Sequence, residues 1–122
     1  PELPPTKVDL FLLNQAFQNI IKNAMEAMRE HGTLWVSTRK LKIRHGPEPH
    51  LEFAEVVFED NGPGMAGEEI EKALNPFYSK KEGGLGLGLP SVEHIVRAHG
   101  GALTLENRST GGVKVLIYLP IR

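Results

Sequence analysis

The chain has 122 residues, a formal net charge of -1, 40% hydrophobic and 24% charged residues, and no cysteine. That length suits one compact domain with a core of its own, and the near-neutral charge gives no basis for a nucleic-acid or anionic-membrane partner. The lack of cysteine excludes a disulfide scaffold and thiolate metal sites and fits a reducing compartment; no apolar run nears the roughly 18 residues of a membrane span, and the opening residues do not read as a signal peptide.

Residues 1 to 8 are proline-rich and read as extended. The start, Pro1-Glu2-Leu3-Pro4-Pro5, suggests a domain cut from a longer protein. Asp9 is a candidate N-cap, and Leu13, Phe17, Ile20, Ala24 and Ala27 step by 4, 3, 4 and 3, which defines one apolar helical face. A helix is expected from about Asp9 to Glu30, closed by Gly32. A polar stripe runs beside that face: Gln15, Asn19, Asn23 and Glu26. Such a stripe is ordinarily a solvated surface. Asn, however, is a poor helix former. Its amide offers a neutral oxygen to a hard cation such as magnesium and NH2 donors to phosphate oxygens.

Thr33 to Ile43 and Leu51 to Glu59 read as two strands joined by a turn over residues 45 to 50, which holds Gly46, Pro47 and Pro49. Trp35 is expected to cover the sheet edge or pack under a helix. Asp60-Asn61-Gly62-Pro63-Gly64-Met65 follows. It is an ordinary turn former by composition, but it also sets a carboxylate acceptor at a strand terminus beside two glycines that leave room for a flat base. Residues 66 to 74 suggest a short helix, and 75 to 83 a loop in which Phe77 acts as an anchor. Lys80 and Lys81 can reach phosphates, although paired loop lysines are usually solvated. Gly84-Leu85-Gly86-Leu87-Gly88-Leu89 then runs into Pro90, expected as the first residue of a helix ending at Gly100-Gly101. Glycines that admit close backbone approach, before a helix N-terminus that attracts anions, suggest a phosphate cradle. Strands at 102–107 and 113–119 close the chain around a turn at Ser109 to Gly112. The order predicts an α+β fold: a two-layer α/β sandwich, its sheet mixed but mostly antiparallel, with about three helices on one face. No strand leads directly into the glycine loop, so it is not a Rossmann unit.

Four features occur in a fixed order: Asn19-x3-Asn23-Ala24, Asp60 to Met65, Pro76-Phe77-Tyr78-Ser79, and Gly84 to Leu89 ending in His99-Gly100-Gly101. Together they resemble the N, G1, F and G2 boxes of the ATP-binding catalytic domain of sensor histidine kinases, within the GHKL or Bergerat superfamily shared with gyrase-type ATPases. The resemblance runs from about Val8 to Leu119, and Asn23-Ala24-Met25-Glu26-Ala27-Met28 looks most like the nitrogen-regulation branch. It implies that Asn23, with Asn19 beside it, ligates a magnesium bridging the ATP phosphates. Asp60 would accept from the adenine amino group, and Gly62 and Gly64 would line the base. The loop from about Pro76 to Gly86 would be the ATP lid, pinned by Phe77. Gly84, Gly86, Leu87 and Gly88, with Lys80 and Lys81 in reach, would meet the phosphates. His99 would be structural.

Departures from the pattern shape the expected activity. Gyrase-type members carry a glutamate general base where this chain has Asn19, so transfer to a protein side chain is expected rather than hydrolysis. Some histidine kinases carry lysine where this chain has Glu26, and threonine is frequent where it has Leu85. The five histidines lack the acidic-flanked context of a phosphoacceptor, and the family's helical dimerisation domain is expected outside residues 1–122. The resemblance thus implies the catalytic half of a cytoplasmic histidine kinase, from a parent that is membrane-anchored or soluble. It would bind ATP with magnesium and phosphorylate a histidine on its own dimerisation domain, which then serves a response regulator. The alternatives are an anti-sigma-type serine kinase of the same fold and a non-catalytic nucleotide sensor.

Overall fold

The structure, a computed structural model, describes residues 9–28, 31–43, 51–65, 70 and 88–121. Its elements are α1 (Leu10–Met28), β1 (Leu34–Ile43), β2 (Leu51–Asp60), α2 (Gly88–Ala98), β3 (Ala102–Asn107) and β4 (Val113–Pro120). The strands form one sheet in the order β1-β2-β4-β3, and each pairing is antiparallel. Both helices lie on one face, as an α+β sandwich requires. The expected helix at 66–74 lies outside the described residues apart from Ile70, which is helical, and so does the turn at 45–50.

Asp9 caps α1: its Oδ1 accepts from the Leu12 N–H at 3.1 Å. Leu13, Ala16, Ile20 and Ala24 are buried, and Phe17 lies tilted on Phe58 of β2 with centroids 5.5 Å apart. Ala27 belongs to the apolar face by spacing but is exposed. Gly32 does not take the left-handed conformation expected of a cap. A side chain there would instead crowd Met28, its Cβ falling 2.8 Å from the Met28 Cβ.

α2 begins at Gly88, so Pro90 is its third residue and not its first. The first-turn N–H groups of a helix have no intrahelical partner, so proline is tolerated there without loss of a bond. The far end closes as a Schellman motif: Gly101 N–H donates to Val96 O at 3.0 Å and Gly100 N–H to Arg97 O at 2.9 Å. Gly100 supplies the required positive φ of 80°.

The helix-facing sides of β2, β3 and β4 contribute Val56, Phe58, Leu103, Val113, Val115, Ile117 and Leu119 to a core completed by Val92, Ile95 and Val96 of α2. Each such side chain, fully buried, stabilises the fold by about 1.5–3 kcal/mol before conformational entropy is subtracted. The two helices are also tied end to end. The Asp9 N–H donates to His99 Nε2 at 2.8 Å, and His99 Nδ1 lies 2.8 Å from the Ile95 carbonyl. Those partners place the ring proton on Nδ1, so His99 has the structural role expected of it.

On the opposite face the buried Glu55 takes a fork from Arg39, Nε to Oε1 at 2.6 Å and Nη2 to Oε2 at 3.4 Å. Arg39 and Glu55 are register partners in β1 and β2, and Glu55 pairs with Tyr118 of β4. The Arg39 hydrogen bond outweighs burial and holds the Glu55 carboxyl below its usual range. Burial, together with the bond to Glu55, pushes the Tyr118 hydroxyl above its ordinary value. Among the described residues no helix is long and apolar enough to cross a membrane.

Candidate functional site

The site is built where β2 ends. Asp60 is its last residue, and strand alternation from Val56 and Phe58 turns its side chain to the helix-facing side, where it is buried. A buried carboxylate needs partners, and two backbone N–H groups supply them. Gly62 N–H donates to Asp60 Oδ1 at 2.9 Å and Val113 N–H to the same oxygen at 3.2 Å. Both of these bonds converge on Oδ1. One oxygen therefore fixes the orientation of the carboxylate.

A side chain at Gly62 would crowd this arrangement. A Cβ there would lie 3.2 Å from Asp60 Oδ1, 3.4 Å from Met28 Cγ and 3.6 Å from the Ala27 backbone. The contact also shows that the loop abuts the last turn of α1. Gly64 takes φ 80°, the left-handed region that glycine occupies at no steric cost.

The loop from Asp60 to Met65 is held from two sides. Asn61 Oδ1 accepts from the Thr33 N–H at 2.8 Å, which ties it to the entry of β1. From the β3–β4 connection, Asn107 Oδ1 accepts from Met65 N–H at 2.9 Å and Asn107 Nδ2 donates to Met65 O at 2.6 Å. Arg108 Nη1 donates to the Asp60 carbonyl at 3.0 Å and to Gly111 O at 3.2 Å. Its guanidinium also lies 3.4 Å from Glu59 and 4.7 Å from the Trp35 ring centroid. Trp35 is thus half exposed on the outer face under a cation and does not pack beneath a helix. Gly111 and Gly112 have φ of 104° and 95°, and a Cβ on Gly112 would run into the Asp60 carbonyl.

Neither Asn107 nor Arg108 is distinguishable in the sequence. An asparagine and an arginine before Ser-Thr-Gly-Gly read as an ordinary turn, and their partners lie 42 and 48 residues away.

Asn19 and Asn23 stand on one side of α1, half buried, between exposed Gln15 and Glu26. Ala27 continues the stripe at the next i+4 position, and the Gly62 loop rests against its backbone. The Asp60 loop and the amide stripe therefore meet on one helix, Asn23 about 6 Å and Asn19 about 12 Å back along its axis from Ala27 at 1.5 Å per residue. Among the described residues no group of three or more His, Cys, Asp or Glu could hold a metal. The amide oxygens of the stripe are hard neutral ligands of the kind magnesium accepts. Gly88 opens α2 and so lies among its unpaired N-terminal N–H groups. Phe77, Lys80, Lys81, Gly84, Gly86 and Leu87, expected in the lid and the phosphate contact, lie outside the described residues.

Comparison with known proteins places the chain in a family. Residues 8–122 match the family described as histidine kinase-, DNA gyrase B-, and HSP90-like ATPase. The chain is 37% identical over 110 residues to Sporulation kinase C of Bacillus subtilis (strain 168), covering 90% of this chain and 24% of that protein. It is 35% identical over 126 residues to the sensory histidine kinase/phosphatase NtrB of Rhodobacter capsulatus, covering 99% of this chain and 35% of that one. The chain thus spans about a quarter to a third of these relatives. Among solved structures, the nucleotide-free catalytic domain of histidine kinase ThkA superposes with a TM-score of 0.77 at 28% identity, over 95% of this chain and 70% of that one. The mycobacterial sensor histidine kinase MprB gives 0.74 at 30%, over 96% and 75%. With this match over nearly its whole length, the chain belongs to the histidine kinase-, DNA gyrase B- and HSP90-like ATPases.

Proposed function

We propose that residues 1–122 are the catalytic domain of a cytoplasmic sensor histidine kinase, which binds ATP with magnesium and donates the γ-phosphate to a histidine on a separate helical dimerisation domain. The observation that carries this reading is the buried carboxylate of Asp60, fixed at the end of β2. Two N–H groups orient it through Oδ1, and Oδ2 is assigned to accept from an exocyclic amine. A flat base then fits over Gly62 and Gly64, which carry no side chains.

From that end the nucleotide runs along α1, bringing its phosphates to Asn23 and Asn19. When bound, magnesium neutralises the phosphate charge there, and the amide oxygens hold it. Gly86, Gly88 and the open N-terminus of α2 supply N–H groups, with Gly84, Leu87, Lys80 and Lys81 contributing from the lid that Phe77 pins. The protein's part is positioning and charge neutralisation, as in other phosphoryl transfers. Asn19 cannot act as a general base toward water, so the acceptor is a protein side chain. The relatives named as kinases support the same reading.

The test is to mix the chain with its parent's helical segment and γ-labelled ATP. Acid-labile label on the helical segment is expected. Acid-stable label would instead mark a serine kinase, and nucleotide binding without transfer a sensor.

A further inference from the structure

We propose that Asn107 is a positioning residue for adenine recognition: it fixes the exit of the Asp60–Met65 loop and so fixes the orientation of the Asp60 carboxylate. This rests on the nucleotide reading above and adds a residue that the family's motifs do not contain.

One planar amide grips one residue in both directions, accepting from the Met65 N–H and donating to the Met65 carbonyl. Paired bonds of this kind fix rotation as well as distance, in the manner of a strand partner. Asn107 is also the register partner of Val113, whose N–H binds Asp60 Oδ1. The same cross-strand pair therefore holds both ends of the loop, Asp60 at its entry and Met65 at its exit. Between them Gly62 donates the second bond to Oδ1, and a Cβ on Gly64 would sit 3.1 Å from Asn107 Oδ1. Release of Met65 would let Gly62 drift, and the carboxylate would lose one of the two N–H groups that aim it.

Exposure argues that the clamp serves geometry before stability. Asn107 is exposed, and water can replace exposed hydrogen bonds at little net cost. Removing the amide should hardly change the melting temperature and yet alter how the site reads the base. A merely structural residue would behave the other way, lowering stability and weakening all nucleotides alike.

The experiment measures binding of ATP and of purine riboside triphosphate, which lacks the 6-amino group, by calorimetry on wild type, Asn107→Asp and Asn107→Ala. Asn107→Asp is isosteric and keeps the acceptor for Met65 N–H, but it sets an oxygen against the Met65 carbonyl. Wild type should prefer ATP. In both variants the ATP affinity should fall about five- to tenfold, while purine riboside triphosphate is unchanged. An Ile117→Val control should leave the ratio intact. Retention of the wild-type preference in both variants, or an equal loss for both nucleotides, overturns the proposal while leaving the nucleotide reading standing. No ATP binding by wild type, or no preference for it, overturns both.

Discussion

Asp60 is proposed to perform two tasks with one side chain: the oxygen that accepts from Gly62 and Val113 holds the loop, and the other is assigned to the ligand. Asp60→Asn separates them. An asparagine can keep the two backbone bonds through its oxygen, but it presents an NH2 where an exocyclic amine needs an acceptor. The fold should survive and ATP affinity should drop roughly 5- to 150-fold, the cost of an unsatisfied buried contact of about 1–3 kcal/mol. Calorimetry beside a melting curve reads both. Gly112→Ala makes the opposite test, because its Cβ would strike the Asp60 carbonyl from a φ of 95°. It should cost about 2 kcal/mol or more, seen as a lower midpoint in denaturant. The position of Asp60 at the end of β2 was legible from sequence, because Asn-Gly-Pro-Gly is a local turn pattern that stops the strand. Asn107 and Arg108 were not, since only the sheet order β1-β2-β4-β3 brings them to this loop.

At the scale of elements, the strands and α1 follow from alternation and a period of 3.6, and their observed bounds lie within two residues of the expected ones. The start of α2 at Gly88 was hidden because glycine and proline both read as breakers, although the first turn of a helix loses little by holding them. The Arg39–Glu55–Tyr118 cluster was likewise hidden. A glutamate in the middle of β2 reads as solvent-facing, and its burial depends on partners in β1 and β4. That cluster makes stability depend on pH. The Glu55 carboxyl is held below its usual value by Arg39, so the folded state binds its proton less readily than the unfolded state does. The stabilisation is present above the ordinary carboxylate pKa of about 4.3 and is lost as the pH falls through the lower folded value. Glu55→Gln should therefore be less stable than wild type at neutral pH, and the difference should shrink on acidification below about pH 4. Denaturant midpoints from pH 7 to pH 3 give the comparison. A constant difference would exclude the pair as its source.

Across the whole molecule, the two-layer α+β architecture was legible because helix and strand periods alternate cleanly along the chain. The convergence of α1 with the Asp60 loop was legible only through resemblance, since no local pattern says that Gly62 will rest on Ala27 and Met28. That convergence underlies the reading of the site as one for ATP with magnesium, base at the loop and phosphates at the asparagine stripe. The most direct measurement is calorimetric titration of ATP into wild type and Asn23→Ala, each with magnesium and with the magnesium chelated. Wild type should bind ATP and lose about tenfold or more of its affinity on chelation, the equivalent of about 1.4 kcal/mol. Asn23→Ala should stay folded and bind weakly with no response to magnesium. Absence of ATP binding by wild type, or an undiminished magnesium response in Asn23→Ala, would contradict the assignment.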